Sequence, residues 1–184
     1  MPRVSIVTTK YFRNATALLF LLAVITNVSC SSKELAPDFT LPDSSGEQIN
    51  LTSELESHRG VVVVFYRGFF WGICRSQLVQ LQDVYQTIQE KDYELITISM
   101  DTNIDAKNMV DSGQIEYPVL SNPSGSVVDE YNVYNLLGDG VSAPATFIIG
   151  QNREILWKHV GKSSGDRPGI EEIISKLNWK GLIT

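Results

Sequence analysis

An α/β domain with a mixed central sheet is the fold this chain predicts, on three observations. The continuous apolar run Val61-Val62-Val63-Val64-Phe65-Tyr66 reads as a strand buried on both faces. Strand-like and helix-like stretches then alternate. The last two strand candidates flank a tight turn and feed one closing helix, which adds antiparallel strands to the parallel ones.

The elements follow in order. Residues 36–42 alternate, Asp43-Ser44-Ser45-Gly46 turns the chain, and Gln48-Ile49-Asn50-Leu51 returns, so an N-terminal β-hairpin is expected. The strand at 61–66 passes through Arg67-Gly68-Phe69-Phe70-Trp71-Gly72-Ile73 into a helix, where Leu78, Leu81, Tyr85 and Ile88 recur every three or four residues on one face. Residues 94–100 form the next buried strand. Residues 102–112 predict a helix capped by Asp101 or Thr102, and 117–120 a short strand closed by Asn122-Pro123. A helix is expected over 127–131, before the Gly138-Asp139-Gly140 loop. Strands at 146–149 and 155–160 flank Gly150-Gln151-Asn152 as a hairpin. Residues 168–177 read as the final helix, capped from Asp166-Arg167-Pro168 with Pro168 in its first turn.

Ahead of this domain lies a targeting pattern. Residues 15–26 are almost wholly apolar, follow Arg3, Lys10 and Arg13 with no acidic residue, and lead into Asn27-Val28-Ser29-Cys30. That run is too short for a spanning helix and has the layout of a signal peptide over residues 1–29. The small residue before Cys30 and the serines after it resemble a bacterial lipobox, in which Cys30 is lipidated and anchors the protein to the membrane. Asn27 departs from that motif, so cleavage without lipidation and a retained N-terminal helix remain alternatives. Residues 30–35 form a tether, and the folded domain is expected over 36–178. Export to the cell envelope follows from this reading.

Removing residues 1–29 leaves 12 Lys+Arg against 21 Asp+Glu, a net charge of −9. A surface so acidic excludes nucleic acid as a partner class. His58 and His159 have no second His or Cys at metal-ligand spacing, so no metal and no cofactor are expected.

The chemistry rests on two cysteines. If Cys30 carries lipid, Cys74 alone is left for redox work and no internal disulfide forms. Cys74 falls where strand gives way to helix, and unpaired N–H groups with the helix dipole at such a terminus favour the reactive thiolate. The bland alternative is a small cysteine packed beneath the sheet. Arg67 and Arg75 are candidate charges beside it. Phe69, Phe70 and Trp71 read as wall or core, with an exposed aromatic rim as the sharper alternative.

The segments Ala36-Pro37-Asp38-Phe39-Thr40-Leu41, Tyr66-Arg67-Gly68-Phe69 and Cys74-Arg75-Ser76-Gln77-Leu78 resemble the redoxin, or AhpC/TSA, group of peroxiredoxin-like proteins. Ala143-Pro144-Ala145-Thr146-Phe147 is similar to the thioredoxin-fold segment whose proline is cis and faces the active sulfur. Over residues 34–177 the resemblance implies a thioredoxin-like fold. It also implies catalysis at Cys74, with Trp71 and Arg75 beside it and Pro144, Phe70 and Arg67 on the substrate side.

The chain departs from that pattern in three places. Where peroxiredoxins carry proline and threonine, seven and three positions ahead of the reactive cysteine, this chain has Arg67 and Trp71. Pro144 stands where they place an arginine. Relatives reading Y-R-G-x-W-C-x-x-C-R put a first redox residue at position 71. Trp71 is then either a true substitution, giving a one-cysteine enzyme, or selenocysteine whose UGA codon has been read as tryptophan.

The resemblance thus implies a thiol-dependent oxidoreductase reducing peroxides or disulfides, recycled by an external thiol such as thioredoxin. The alternative is a redox-inactive binding module of the same fold at the cell envelope.

Overall fold

The computed structural model describes residues 33–178. The signal-peptide segment and Cys30 lie outside the described residues. Strands β1 (Thr40–Pro42) and β2 (Gln48–Asn50) form the expected antiparallel hairpin. The main sheet contains β3 (Gly60–Phe65), β4 (Tyr93–Ser99), β5 (Val119–Ser121), β6 (Ala145–Gly150) and β7 (Ile155–Val160), in the order β5-β4-β3-β6-β7. Strands β3, β4 and β5 run parallel, whereas β6 and β7 are antiparallel to their neighbours. The sheet is therefore mixed, as the sequence pattern predicts.

The run of valines holds the centre because both of its faces are covered. Val61, Val63 and Phe65 join one apolar cluster with Leu51, Leu55, Val128 and Tyr131. Val62, Val64 and Tyr66 join another with Cys74, Leu78, Leu81, Ile88 and Met109. This is the period-two alternation of a strand, apolar on both sides because helices lie on both sides. One layer contains α2 (Gly72–Asp83), α3 (Tyr85–Gln89), α4 (Asn103–Gly113) and α6 (Ile170–Leu177); the other contains α1 (Leu51–Ser57), α5 (Ser126–Glu130) and the hairpin.

Several elements correct the sequence reading. Helix α1 was not expected: Asn50, read as the end of a strand, also accepts from Ser53 N–H at 2.9 Å as an N-cap, and Leu51 and Leu55 share the buried face. The long helix over 72–89 is interrupted at Val84 (φ −115°, ψ 5°). Tyr85 then turns inward, where its hydroxyl donates to Glu94 at 2.9 Å and its ring meets Tyr117 edge-on. Thr102, not Asp101, caps α4. Helix α6 starts at Ile170 after Gly169, outside which Pro168 lies. Asp166 caps nothing there, because it accepts from Lys162 N–H and pairs with His159 at 2.9 Å.

The described residues contain no cis peptide bond, so Pro144 is trans, against the expectation drawn from the resemblance. Trans is the lower-energy isomer even before proline. Here the flanking backbone is fully engaged in that form: Ala143 N–H donates to Val133 and the Pro144 carbonyl accepts from Gly161. No helix among the described residues is long and apolar enough to cross a membrane.

Candidate active site

Strand β3 ends at Phe65, and the chain crosses from Tyr66 to Trp71 before α2 begins, so Cys74 is the third residue of that helix. Its backbone N–H donates to the Trp71 carbonyl at 2.9 Å. The position at a helix N-terminus is as expected. The side chain, however, is fully buried in the apolar cluster around Tyr66 and Leu78. The two readings of Cys74, helix-terminal thiol and packed thiol, are both true of it.

The crossing loop is held from three sides. Asp101, at the end of β4, accepts from Phe69 N–H at 2.8 Å, and Ser121 Oγ in turn donates to the Asp101 carbonyl at 2.7 Å. Burial raises the Asp101 carboxyl above the ordinary range, partly offset by the donors from Ser99 and Phe69. Arg75 folds back on the loop, donating to the Phe69 carbonyl at 2.7 Å with its guanidinium 5.6 Å from that ring. Arg75 thus acts on the loop that leads to the cysteine's helix.

Arg67 is the third tether and is not a solvated arginine. It is 3% exposed, its guanidinium lies 4.1 Å from the centroid of the Trp71 indole, and it pairs with Asp139. Its remaining donors, Nε and Nη1, are buried without a protein partner. The Arg67 hydrogen bond holds the Asp139 carboxyl below its ordinary value.

Tyr66 completes the set. Burial first, then the charge of Asp101, push its hydroxyl well above the ordinary phenol range, and Cys74 lies close enough to add to the effect. That hydroxyl is buried near Ser99 and Asp101 without a well-formed hydrogen bond to either. It remains a neutral O–H.

Pro144 is buried one step beyond the Phe65–Ala145 pair, so the β3–β6 register places it beside Tyr66, at the strand end from which Cys74 departs. Phe70 is 79% exposed and Trp71 43%, with Ile73 also at the surface. Phe70 and Trp71 therefore lie at the surface and not in the core, and Phe69 is partly covered. Arg167, expected at a helix cap, instead donates to the Ile73 carbonyl at 3.2 Å and to Gln77 Oε1 at 2.8 Å, tying the last segment to the cysteine's helix.

Sequence reasoning missed Asp101 and Asp139 as site residues. Asp101 was visible only as a helix cap and Asp139 only as a loop residue, because their partners are 32 and 72 positions away. A cavity of about 1030 Å³ opens elsewhere, lined by Arg59, Tyr93, Gly150 and Trp157. The strand register puts it at the end of β3 opposite Cys74, away from the thiol chemistry.

A thiol that is single among the described residues, in the first turn of the helix that follows the central strand of a mixed five-stranded sheet, defines a thiol-based redox protein of thioredoxin-like architecture. The profile of the AhpC/TSA family matches residues 33–158, and the chain belongs to that family. It is 33% identical over 151 residues to peroxiredoxin bcp1 of Schizosaccharomyces pombe, covering 82% of this chain and 73% of that one. It is 26% identical over 147 residues to the thiol-disulfide oxidoreductase ResA of Bacillus thuringiensis, covering 77% and 76%. The crystal structure of peroxidoxin BcpB from Mycobacterium tuberculosis superimposes with a TM-score of 0.71 at 24% identity, covering 79% of this chain and 94% of that one, and supports the fold. The chain is a thiol-dependent oxidoreductase.

Proposed function

We propose that Cys74 carries a thiol-dependent reduction of peroxides or disulfides. The observation that carries this reading is the position of Cys74, the sole cysteine among the described residues, in the first turn of α2 beside Tyr66. With a hydroperoxide, the Cys74 thiolate attacks one peroxide oxygen and the O–O bond breaks. Cys74 becomes a sulfenic acid and the other oxygen leaves as alcohol or water after taking a proton. An external thiol of the thioredoxin type then forms a mixed disulfide with release of water. A second thiol releases the Cys74 thiol and leaves as the oxidised disulfide.

The protein's part is to present the sulfur and supply donors. Tyr66 contributes a neutral O–H in the cluster that contains the sulfur, and the N-terminal end of α2 contributes its dipole. Because Cys74 is fully buried, attack requires a local opening that brings the sulfur into contact with its substrate. Trp71 is the N-cap of α2 with no side-chain capping bond. Its indole N–H donates but does not accept, so it replaces neither the hydroxyl nor the second sulfur that peroxide or disulfide chemistry uses at this position.

Thiol-dependent reduction of hydrogen peroxide and of a small disulfide tests the assignment. Cys74→Ser should abolish turnover, a loss of at least about 1000-fold, since catalysis through a nucleophile disappears with it. Trp71→Cys or selenocysteine should raise activity by forming an internal disulfide or selenenylsulfide that a thioredoxin system reduces. A Trp71 protein already fully active, with no gain from Trp71→Cys, would establish the one-cysteine mechanism instead. Undiminished turnover in Cys74→Ser would remove Cys74 from the reaction.

The same reading includes an exported, membrane-anchored protein, supported by the basic residues and apolar run ahead of Val28-Ser29-Cys30. A palmitate analogue should label the wild type and not Cys30→Ala; equal labelling would remove the lipid anchor.

A further inference from the structure

We propose that Glu54, His58 and Glu94 form a binding site for one divalent first-row metal cation, zinc being the probe, at the end of the sheet opposite Cys74. The inference is independent of the thiol chemistry. No His-Cys spacing announces the site in the sequence, because its third member comes from a different element.

The geometry is built from the last turn of α1 and the second residue of β4. Glu54 and His58 are four residues apart, which puts them on the same side of α1. His58 is the C-cap, and its ring Nδ1 lies 3.1 Å from the Glu54 carbonyl oxygen. An Nδ1–H donated there leaves the lone pair on Nε2, the form in which imidazole ligates metals. This tautomer is assigned from the partner, a carbonyl that can only accept.

Glu94 supplies the facing oxygen. Its Oε1 accepts from Tyr85 O–H and from Leu95 N–H, each at 2.9 Å, so the carboxylate is fixed and Oε2 is directed towards His58. From Oε2 to His58 Nε2 is 3.8 Å, too long for a hydrogen bond. Two donors at about 2.0–2.1 Å from one zinc ion in tetrahedral or trigonal geometry stand roughly 3.3–3.6 Å apart, so a closure of a few tenths of an ångström completes that pair. The Glu54 carboxylate stands beside the other ring nitrogen, 3.6 Å from Nδ1, so a rotation of its side chain brings it to an ion on Nε2; one ligand atom from each of the three residues falls within a 4.8 Å span.

Electrostatics supports the same reading. The Glu54 and Glu94 side chains are 23% and 9% exposed, so two acidic groups are partly withdrawn from water beside one imidazole, an arrangement that a cation would relieve. One imidazole and two carboxylates suit zinc or cobalt better than magnesium or calcium, which favour all-oxygen sites with more ligands. A bound ion would fasten α1 to β4 at the edge of the core.

Full-length protein stripped with a chelator and titrated with zinc should bind one equivalent, raising the melting temperature by several degrees at saturation. Cobalt should give d–d absorption without the near-ultraviolet thiolate band that ligation by Cys74 would produce, and Cys74→Ser should behave as wild type. His58→Gln and Glu54→Gln should each weaken zinc binding by at least about tenfold, as expected when a ligand or its close support is lost. Both residues are partly exposed, so these two variants decide the matter even if Glu94→Gln, which touches two further donors, folds poorly. Binding as tight in both variants as in wild type would overturn the site. So would an equal shift with magnesium, or a melting temperature that responds to pH through His58 but not to zinc, meaning that the three groups only share a proton.

Discussion

Asp101 shows what a single side chain does at this site. It accepts from Phe69 N–H at 2.8 Å and so fixes the loop whose last residues lead into the cysteine's helix. Its folded-state value is raised, so the native state holds the proton more tightly than the unfolded chain. Its contribution to stability therefore falls as pH rises through the interval above the ordinary aspartate value. At neutral pH the charge is a cost and the acceptor is the benefit. Asp101→Ala should lose about 1–3 kcal/mol by leaving Phe69 N–H without its partner. Asp101→Asn keeps an acceptor oxygen without the charge and should lose markedly less. Denaturant midpoints at pH 7 separate the two, and equal losses would show that the hydrogen bond is not what Asp101 contributes. Neither role was legible beforehand, since a cap position is a local signal and this bond spans 32 residues.

At the scale of elements, the Arg67–Trp71 loop is a short connection whose path is dictated from outside. Gly68 has φ +144°, and a Cβ there would lie 2.7 Å from Asp101 Oδ1. Gly68→Ala would meet both an unfavourable backbone conformation and the carboxylate that holds Phe69. It should cost on the order of 1–3 kcal/mol, and hydrogen exchange at the Phe69 amide should accelerate with it. Unchanged exchange would mean that the loop accommodates the methyl without releasing Asp101. The strands and most helices were readable from apolar periodicity alone. The break at Val84 was not, because Leu81, Tyr85 and Ile88 keep helical spacing across it. Tyr85 is drawn out of register by Glu94 and Tyr117, partners that the periodicity does not record.

Across the whole molecule, the acidic balance leaves few cations to spare, and the one buried deepest at the site is Arg67. Its pair with Asp139 links the β3–α2 connection to the loop before β6. The Asp139 carboxyl is depressed by that hydrogen bond, so the stability it confers is present above the ordinary aspartate value and is lost as pH falls through the lower folded value. Asp139→Asn should therefore melt below wild type at pH 7, with the gap closing as pH drops below about 4. A gap independent of pH would mean that packing, not the ion pair, is at stake. The amino-acid sequence by itself determined the mixed α/β architecture, the place of Cys74 at the start of a helix and the family, because strand runs, helical periodicity and short motifs are local. Only the tertiary structure decided that Cys74 is covered, that Pro144 is trans, that Arg67 is buried under Trp71 against Asp139, and that His58 meets Glu94. Each of these depends on which distant segments the sheet brings side by side, and burial and charge pairing are properties of that juxtaposition, not of any stretch of chain.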